Sequence, residues 1–447
     1  MINVKNQNTS QKISFIAVIL LFSMFIIFGL LVNTDGTNFY KLYTFDYGIF
    51  LLIIILSLSF KNKYNKYFSL IWIAWFYIGN FNIYFSYKTY FIYNYHYIFD
   101  YNIDPRKANS VYLLYFLFFI IAMKVFEKVF DNSPNENTNN LLYVDYSKYE
   151  KFILFIFSFM LLGEIYYLHG QIPLFSGSNL SMTMYETNHG ILYDYFILIS
   201  VMTGIYNFNN ILDKKNILLN MFTLILNITV LLAYGMRYFF AILVICLLVL
   251  LIKRFQGKQL KIILLLIIFF MFVFYLVTVL MRSGTELSKE SLYKAIINIG
   301  PEYRDWAYFI QFEPLFKYNV LKESLPYFIP KFILNIFKIT RGNTSASYMA
   351  NYFNVDFGIR IGLIGELYWS YRYYGIIVFF IIGFISAFFN KKLNKVNNIR
   401  DFSLAAIWFS VSILSIMGQF NVVLTTIKSF IYIYIIFLFF KKINLLI

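Results

Sequence analysis

Long apolar runs recur along almost the whole chain and constrain its fold more than any other feature. A helix of about 17 to 25 apolar residues can cross a bilayer. Of the 447 residues, 60% are hydrophobic and 13% are charged, and the mean hydropathy is +0.65. The core of a soluble protein could not bury so much apolar surface. We predict an all-α polytopic integral membrane protein of about twelve transmembrane helices. The predicted spans lie near residues 13–32, 46–60, 68–85, 111–130, 152–168, 191–208, 216–234, 238–252, 260–281, 361–388, 401–418 and 422–440.

The positions of Lys and Arg predict the orientation, because cationic loops are retained in the cytoplasm. With the N-terminus inside, the inner segments hold twenty-one of these cations and the short outer loops hold five. Loops longer than about 60 residues cross the membrane largely regardless of charge. We therefore expect both termini in the cytoplasm, with transmembrane helices 1 to 9 in residues 1–281, a large extracytoplasmic loop at 282–360, and helices 10 to 12 in 361–447.

The net charge of +16 does not require a nucleic-acid partner. Topology and attraction to anionic lipid headgroups account for much of it. The first apolar run, 13–32, is followed by no small-residue cleavage site, so we interpret it as a retained anchor. The single cysteine, Cys246, cannot form an internal disulfide, and we interpret it as a small core residue.

A charged stretch at 282–360 interrupts the apolar pattern, and it is too apolar for a disordered tail. Within it, residues 289–299 and 325–338 place apolar side chains at helical spacing. We predict that both form short helices along the membrane surface. Four prolines would divide the loop into short pieces, since proline interrupts helices. They are Pro301, Pro314, Pro326 and Pro330.

Five arginines on the predicted outer face are candidate substrate-binding groups. A guanidinium stays charged at any working pH and can bind phosphate oxygens through two parallel hydrogen bonds. We expect at least two of the five to bind an anionic substrate at the outer headgroup level. The alternative is that each pairs with a lipid phosphate or with a carboxylate such as Asp305 or Asp356. The five are Arg237, Arg282, Arg304, Arg341 and Arg360.

Two further charges, Glu366 and Arg372, fall within the predicted span that follows the loop. A charge in the hydrocarbon region costs at least about 2.5 to 3.5 kcal/mol, so it is usually paired, solvated by a cavity or functional. Glu366 lies about one turn from the outer end, so an interfacial position is the alternative to a functional one. In one continuous helix over 361–388, the two side chains would point roughly 120° apart.

The same span reads GLIGELYWSYRYYGIIVFFIIGF (362–384), in which G-E-x-Y precedes an aromatic stretch, Y-G and a later G-F. Four supporting pieces are GQIPLF (170–175), YGMRYF (234–239), PEYRDW (301–306) and LPYFIPK (325–331). In order and placement these pieces resemble the Wzy-type oligosaccharide repeat-unit polymerases of bacterial O-antigen and capsule synthesis. The chain departs from that pattern at Arg372 and Tyr373, where Asn-Phe is expected.

The resemblance implies a membrane glycosyltransferase at the outer face of the bacterial cytoplasmic (inner) membrane, in lipopolysaccharide or capsular polysaccharide biosynthesis. A sugar hydroxyl of one lipid-linked repeat attacks the anomeric carbon of the growing chain's reducing-end sugar, and undecaprenyl diphosphate leaves. We also predict that Tyr368 and Arg372 bind substrate. The implied partners are undecaprenyl-diphosphate-linked oligosaccharides, membrane lipid and a chain-length regulator.

Such a reaction needs fixed cations beside the departing diphosphate, which the arginines could supply. It also needs a general base for the attacking hydroxyl. Glu366 is the first candidate for this base, and His169 and Glu302 are the alternatives.

A metal site is not indicated by the sequence. His169 and His189 share a predicted outer loop with Glu186, but their spacing is not that of a metal-binding motif. The first outer loop, 34–46, lacks an adjacent acidic pair or a D-x-D motif. We predict metal-independent transfer without a cofactor.

Two other functions stay open. An O-antigen ligase-like enzyme would share the twelve spans, the large outer loop and the lipid-diphosphate donor, but would transfer to lipid A core. A flippase for the same lipid-linked sugars should show paired halves, short outer loops and charges within several spans. Here charges within the spans are sparse, with Glu164, Asp194 and Lys428 as the other cases.

Overall fold

The computed structural model describes residues 44–88, 106–130, 148–169, 191–232, 237–255, 305–307, 310, 318–329, 331–339, 344–353, 361–415 and 420–444. Within these residues the regular elements are all helical. The helices are α1 (Thr44–Leu58), α2 (Lys63–Lys88), α3 (Arg106–Phe130), α4 (Lys148–His169), α5 (Ile191–Leu212), α6 (Ile217–Leu232), α7 (Arg237–Arg254), α8 (Val320–Phe328), α9 (Lys331–Ile336), α10 (Ser345–Phe353), α11 (Gly362–Tyr371), α12 (Gly375–Lys395), α13 (Ile399–Leu414) and α14 (Phe420–Asn444). A 3₁₀ turn, Arg372–Tyr374, joins α11 to α12.

The predicted all-helical class is confirmed for the described residues, since the apolar runs there form helices. The predicted spans at 13–32 and 260–281, and the predicted helix at 289–299, lie outside the described residues. One described helical segment, Gly362–Lys395, is long and apolar enough to cross a membrane, with a mean hydropathy of 1.9. Shorter apolar helices occur at Phe45–Leu58, Leu154–Tyr167, Ile197–Leu212, Ile217–Leu232 and Val422–Ile435.

Two predictions about local structure are wrong. The span at 361–388 is not one continuous helix, because Arg372 adopts φ 52° and ψ −136° and ends α11. The 120° offset between Glu366 and Arg372 therefore does not apply. Pro326 does not end a helix, because α8 continues through it to Phe328. The stretch 325–338 does contain helical structure, in two short helices, α8 and α9, that lie on either side of position 330, which agrees with the predicted division at Pro330.

Contacts within the chain define two compact units. The first comprises Met1–Pro134, Ile296–Lys391 and Ser415–Val422. Its core is aromatic and is built by α2, α3 and α12. The Trp72 ring stacks on Phe116 and Phe119 at centroid distances of 4.9 and 5.2 Å and contacts Phe379 at 5.5 Å. Such large buried rings account for much of the hydrophobic stabilisation of a helical core.

A glycine lets α12 approach α3 closely. A Cβ atom at Gly383 would lie 2.7 Å from the carbonyl oxygen of Phe119. Because that neighbour is backbone, it could not move aside cheaply, so the two helices require glycine here to keep this spacing.

The end of α3 forms a buried polar cluster with the connection between α1 and α2. Glu127, which is 5% exposed, accepts hydrogen bonds from Lys124 at 2.8 Å and from the backbone N–H of Asn62 at 2.7 Å. Lys124 also donates to the carbonyl of Ser59 at 2.7 Å. This carboxylate is thus neutralised by a cation in the same helix, and it ties α3 to the connection between α1 and α2.

The second unit comprises Asn135–Ala295, Lys392–Leu414 and Val423–Ile447. Within it, α5 packs against α4, α6, α7 and α13. Cys246 is buried and lies 3.2 Å from the Ser410 hydroxyl, which confirms its interpretation as a small core residue. Arg254 at the end of α7 donates to Asp213 at 2.6 Å and to Asn209 at 2.5 Å. Polar contacts thus fasten α7 to the end of α5.

Candidate functional site

The candidate site is built around Glu366 in α11. Residues 361–369 of this segment are all buried, and Glu366 is 1% exposed. Gly365 precedes it, and a Cβ atom there would lie 2.8 Å from the Trp306 ring. This glycine therefore lets the indole pack directly on the helix beside the carboxylate.

Two neutral donors hold the Glu366 carboxylate. The Ser345 hydroxyl, at the start of α10, donates to Oε1. The backbone N–H of Phe420, at the start of α14, donates to Oε2 at 2.6 Å. A buried carboxylate is costly unless its oxygens are hydrogen-bonded, and each oxygen here has a donor. The carboxylate joins three separate segments of the first unit, and each of its oxygens retains a further lone pair.

Tyr318 lies beside this carboxylate in the segment before α8. The side chain is 5% exposed, and its ring centroid lies 5.4 Å from that of Tyr348. Burial raises the pKa of Tyr318, and the negative charges of Glu366 and Glu323 raise it further. The phenol therefore stays protonated and neutral near the carboxylate. Sequence reasoning missed it, because nothing marks it among 40 tyrosines.

The other end of α11 carries an unusual backbone. Arg372 has a φ of 52°, in the left-handed region that residues with a Cβ rarely adopt. The hydroxyl of Tyr115 in α3 donates to the Arg372 carbonyl at 2.5 Å. Gly375 leaves room for that hydroxyl, which a Cβ there would contact. Strain of this kind persists only where the surroundings maintain it, and it is commonest at functional sites.

The Tyr368 ring lies between the carboxylate and this break in the helix. It is in edge contact with Trp306 and with Tyr373, at centroid distances of 5.5 and 5.6 Å. Two cations lie over it, each 5.8 Å from its centroid: the Nζ of Lys107 and the Cζ of Arg372. Glu366, Tyr368 and Arg372 thus follow one another along α11 and the turn after it, and Lys107 of α3 lies over the same Tyr368 ring.

The start of α8 is fastened to the end of α11. Asn319 caps α8 by accepting from the Lys322 N–H at 3.0 Å, and it also accepts from the Tyr371 hydroxyl at 2.8 Å. The backbone N–H of Val320 donates to the Ser370 hydroxyl at 2.8 Å. Part of the predicted outer loop is therefore held against the segment that carries Glu366.

The structure brings together three of the predicted site residues: Glu366, Tyr368 and Arg372. Two others, His169 and Arg237, belong to the second unit, as the last residue of α4 and the first of α7. Their side chains are not among those described. The remaining predicted residues lie outside the described part of the chain, namely Arg282, Glu302, Arg304, Arg341 and Arg360, so their convergence stays a prediction.

The predicted absence of a metal site in the loop that carries His169 and His189 stays untested, because His189 and Glu186 lie outside the described residues. Among the residues that are described, no three or more His, Cys, Asp or Glu side chains are grouped so that they could hold a metal ion.

Comparison with known proteins adds no relative. The chain matches no protein-family model, no curated protein and no solved structure.

Proposed function

We propose that this protein is a polymerase that joins undecaprenyl-diphosphate-linked oligosaccharide repeat units into O-antigen or capsular polysaccharide. The observation that carries the proposal is the buried Glu366 carboxylate beside Tyr368 and Arg372. All three belong to the segment whose sequence resembles that of Wzy-type polymerases. A buried acid close to cations and aromatic rings suits a reaction between sugars that releases a diphosphate.

In the proposed reaction, the oxygen of a terminal-sugar hydroxyl forms a bond to the anomeric carbon of the second substrate's reducing-end sugar. The bond from that carbon to the diphosphate oxygen breaks, and the electron pair leaves with undecaprenyl diphosphate. Glu366 accepts the hydroxyl proton through a lone pair that its two donors do not use. The Ser345 hydroxyl and the Phe420 N–H position the carboxylate for this transfer.

The leaving diphosphate gains negative charge as the bond breaks, so fixed cations nearby lower the barrier. Arg372 is the described arginine of the site, and its backbone is held by Tyr115. Arg237, Arg282, Arg304, Arg341 and Arg360 belong to the proposal as further cations. No metal ion or cofactor takes part in the proposed transfer.

The proposal includes a location in the bacterial cytoplasmic membrane with about twelve spans, both termini inside and residues 282–360 outside. It is supported by the hydropathy of Gly362–Lys395 and by apolar residues that several helices expose. Such faces suit contact with lipid chains. Examples are Leu218 and Phe222 of α6, 86% and 57% exposed, and Ile377 of α12, 61% exposed.

The direct test is incubation of the purified protein with a defined undecaprenyl-diphosphate oligosaccharide, followed by gel analysis. We expect a ladder of polymer, which Glu366→Gln, Arg237→Ala and Arg341→Ala each abolish without lowering the amount of protein. Long polymer retained by all three variants would refute the assigned site. Transfer of single repeats to lipid A core would indicate a ligase, and movement of the lipid across vesicles without a ladder would indicate a flippase.

A further inference from the structure

The proposed base is covered by its neighbours in this structure. Glu366 is 1% exposed, and Tyr318 beside it is 5% exposed. A general base must lie within hydrogen-bond reach of the hydroxyl whose proton it accepts. A sugar cannot come that close to so deeply buried a carboxylate. The structure therefore shows a closed arrangement, and part of the cover must move before an acceptor sugar binds.

Part of that cover belongs to α8. Tyr318 directly precedes Asn319, the N-cap of this helix, and its ring contacts Tyr348 of α10. Only Val320 and Ser324 are buried among the nine residues of α8, whereas eight of the ten residues of α11 are buried. An element with so few buried side chains opens at a lower free energy than the core it covers. Thus α8 can separate from α11 without unfolding of the core.

Hydrogen bonds fasten the first turn of α8 to the last two residues of α11. The first N–H groups of a helix have no partner within it. Here the N–H of Val320 donates to the Ser370 hydroxyl at 2.8 Å, and that of Leu321 donates to the Tyr371 hydroxyl at 3.3 Å. The Tyr371 hydroxyl in turn donates to Asn319 at 2.8 Å. Water can replace each of these partners once the helices separate, so their net stabilisation is small and the attachment is reversible.

Opening at α8 leaves the base in place. The two groups that hold Glu366 are the Ser345 hydroxyl of α10 and the Phe420 N–H of α14, and neither belongs to α8. Movement of α8 and Tyr318 away from the carboxylate therefore breaks neither hydrogen bond. It uncovers an acid that is already positioned, which is what the acceptor hydroxyl requires.

We propose that α8 and Tyr318 form a lid over Glu366, and that Ser370 and Tyr371 form its latch, which opens to admit the acceptor sugar. The proposal rests on the proposed function, since it assigns the opening to the acceptor of that reaction. Closure keeps bulk water from the base while no acceptor is bound. Water activated by Glu366 would otherwise hydrolyse the bond from sugar to diphosphate, a side reaction that closed active sites prevent.

The opening is measured by the rate at which a cysteine beneath the lid reacts with a maleimide. Ser345→Cys in a Cys246→Ser background places this reporter next to Glu366, and Asn351→Cys places a second one at an exposed position of the same helix. We expect Ser345→Cys to react at least about tenfold more slowly than Asn351→Cys. Equal rates would show that no lid covers the site, which overturns the proposal.

The latch is tested by a matched pair of tyrosine variants. Tyr371→Phe removes the hydroxyl that bonds Asn319 and Leu321, so it should raise the reaction rate of Ser345→Cys by about tenfold. Tyr374→Phe removes the hydroxyl of a residue that is 80% exposed, and it should leave that rate unchanged. An unchanged rate in Tyr371→Phe, or an equal rise in Tyr374→Phe, would overturn the proposal.

The native cysteine separates opening of the lid from unfolding. Cys246 is fully buried in the second unit, so it should stay unreactive in a Tyr371→Phe chain that keeps it as its cysteine. Reaction of Cys246 would show that this variant unfolds, and Ser370→Ala then decides. Ser370→Ala removes only the bond to Val320 and should raise the Ser345→Cys rate by about threefold, and no rise would overturn the proposal.

A reversible cross-link relates the lid to the reaction. Asn319→Cys and Tyr371→Cys, joined by a short bis-methanethiosulfonate in the Cys246→Ser background, hold the lid closed, and dithiothreitol releases it. We expect the cross-linked protein to lose the polymer ladder and the reduced protein to regain it. A native-rate ladder from the cross-linked protein would overturn the lid and leave the proposed function standing. Latch-dependent reaction of Ser345→Cys in a protein that makes no ladder would refute the proposed function and leave a lid over Glu366 standing.

Discussion

Two buried carboxylates in the first unit are held in different ways. Glu127, at the end of α3, pairs with the ammonium of Lys124 at 2.8 Å and accepts from the Asn62 N–H. Glu366, in α11, accepts from two neutral donors, the Ser345 hydroxyl and the Phe420 N–H. Their exposed fractions are similarly small, 5% and 1%.

The difference lies in how the negative charge is compensated. A carboxylate paired with a cation is stabilised as an anion, and removing it leaves a charge unpaired. A carboxylate held by neutral donors is positioned without being neutralised, so a proton can bind it without breaking an ion pair. The ion pair at Glu127 is typical of a carboxylate that stabilises the fold. The neutral donors at Glu366 suit a carboxylate that accepts a proton. Substitutions at each can separate the two roles.

The largest expected effect is loss of polymerisation in Glu366→Gln. The amide keeps the shape and one acceptor but cannot accept the hydroxyl proton, so we expect the rate of ladder formation to fall by at least about a hundredfold. The measurement is the gel assay on defined lipid-linked oligosaccharide. Glu127→Gln is the matched control and should form the ladder at close to the native rate. Equal losses in both variants would remove the distinction between the two sites.

The next largest expected effect is a loss of stability when Glu127 is replaced. Glu127→Leu leaves the Asn62 N–H without its acceptor, so we expect the free energy of unfolding to fall by about 1 to 3 kcal/mol. SDS titration of the protein in mixed micelles measures this change. A variant as stable as the native protein would show that the cluster does not tie α3 to the connection before α2.

A smaller effect is expected at Ser345. Ser345→Ala removes the donor to one Glu366 oxygen, and we expect polymerisation to slow by about tenfold, equivalent to about 1.4 kcal/mol. Ser345→Thr keeps a hydroxyl and serves as the control. Thermal melting of both variants distinguishes positioning from folding, because a positioning role slows the reaction without lowering the melting temperature. A native rate in Ser345→Ala would count against the Ser345 hydroxyl as a group that positions Glu366.

The smallest effect is expected for Lys124→Gln. The Lys124 side chain is 30% exposed, so solvent screens its pairing with Glu127. We expect a loss of at most about 1 kcal/mol in the free energy of unfolding and no change in polymerisation. A loss larger than that caused by Glu127→Leu would mean that the cation, with its bond to Ser59, dominates this cluster.

Much of the helical architecture could be predicted from the apolar runs. The predicted run at 46–60 corresponds to α1, and that at 401–418 to α13, because a long apolar run with no helix breaker in its interior favours a helix. The break at Arg372 could not be predicted, since arginine is a good helix former. It depends on Tyr115, which is 257 residues away in sequence.

The candidate site was predicted only in part for the same reason. Glu366 was recognisable because a charge in an apolar run is costly and is therefore usually paired, solvated by a cavity or functional. Lys107 and Tyr318 were not, because lysine at the start of a helix and tyrosine near a membrane surface are common. Their importance arises from what they lie beside, and no local pattern reports that.

The sequence by itself determined that this chain is helical and apolar, and that Glu366 and Arg372 are costly residues in the segment it marks as a span. Only the tertiary structure decided that Ser345 and Phe420 hold the carboxylate, and that Lys107 joins Arg372 over Tyr368. The physical reason is the distance along the sequence over which each property is set. Hydropathy and helical period are properties of neighbouring residues, whereas the partners of a buried charge are contributed by segments that meet only when the chain folds.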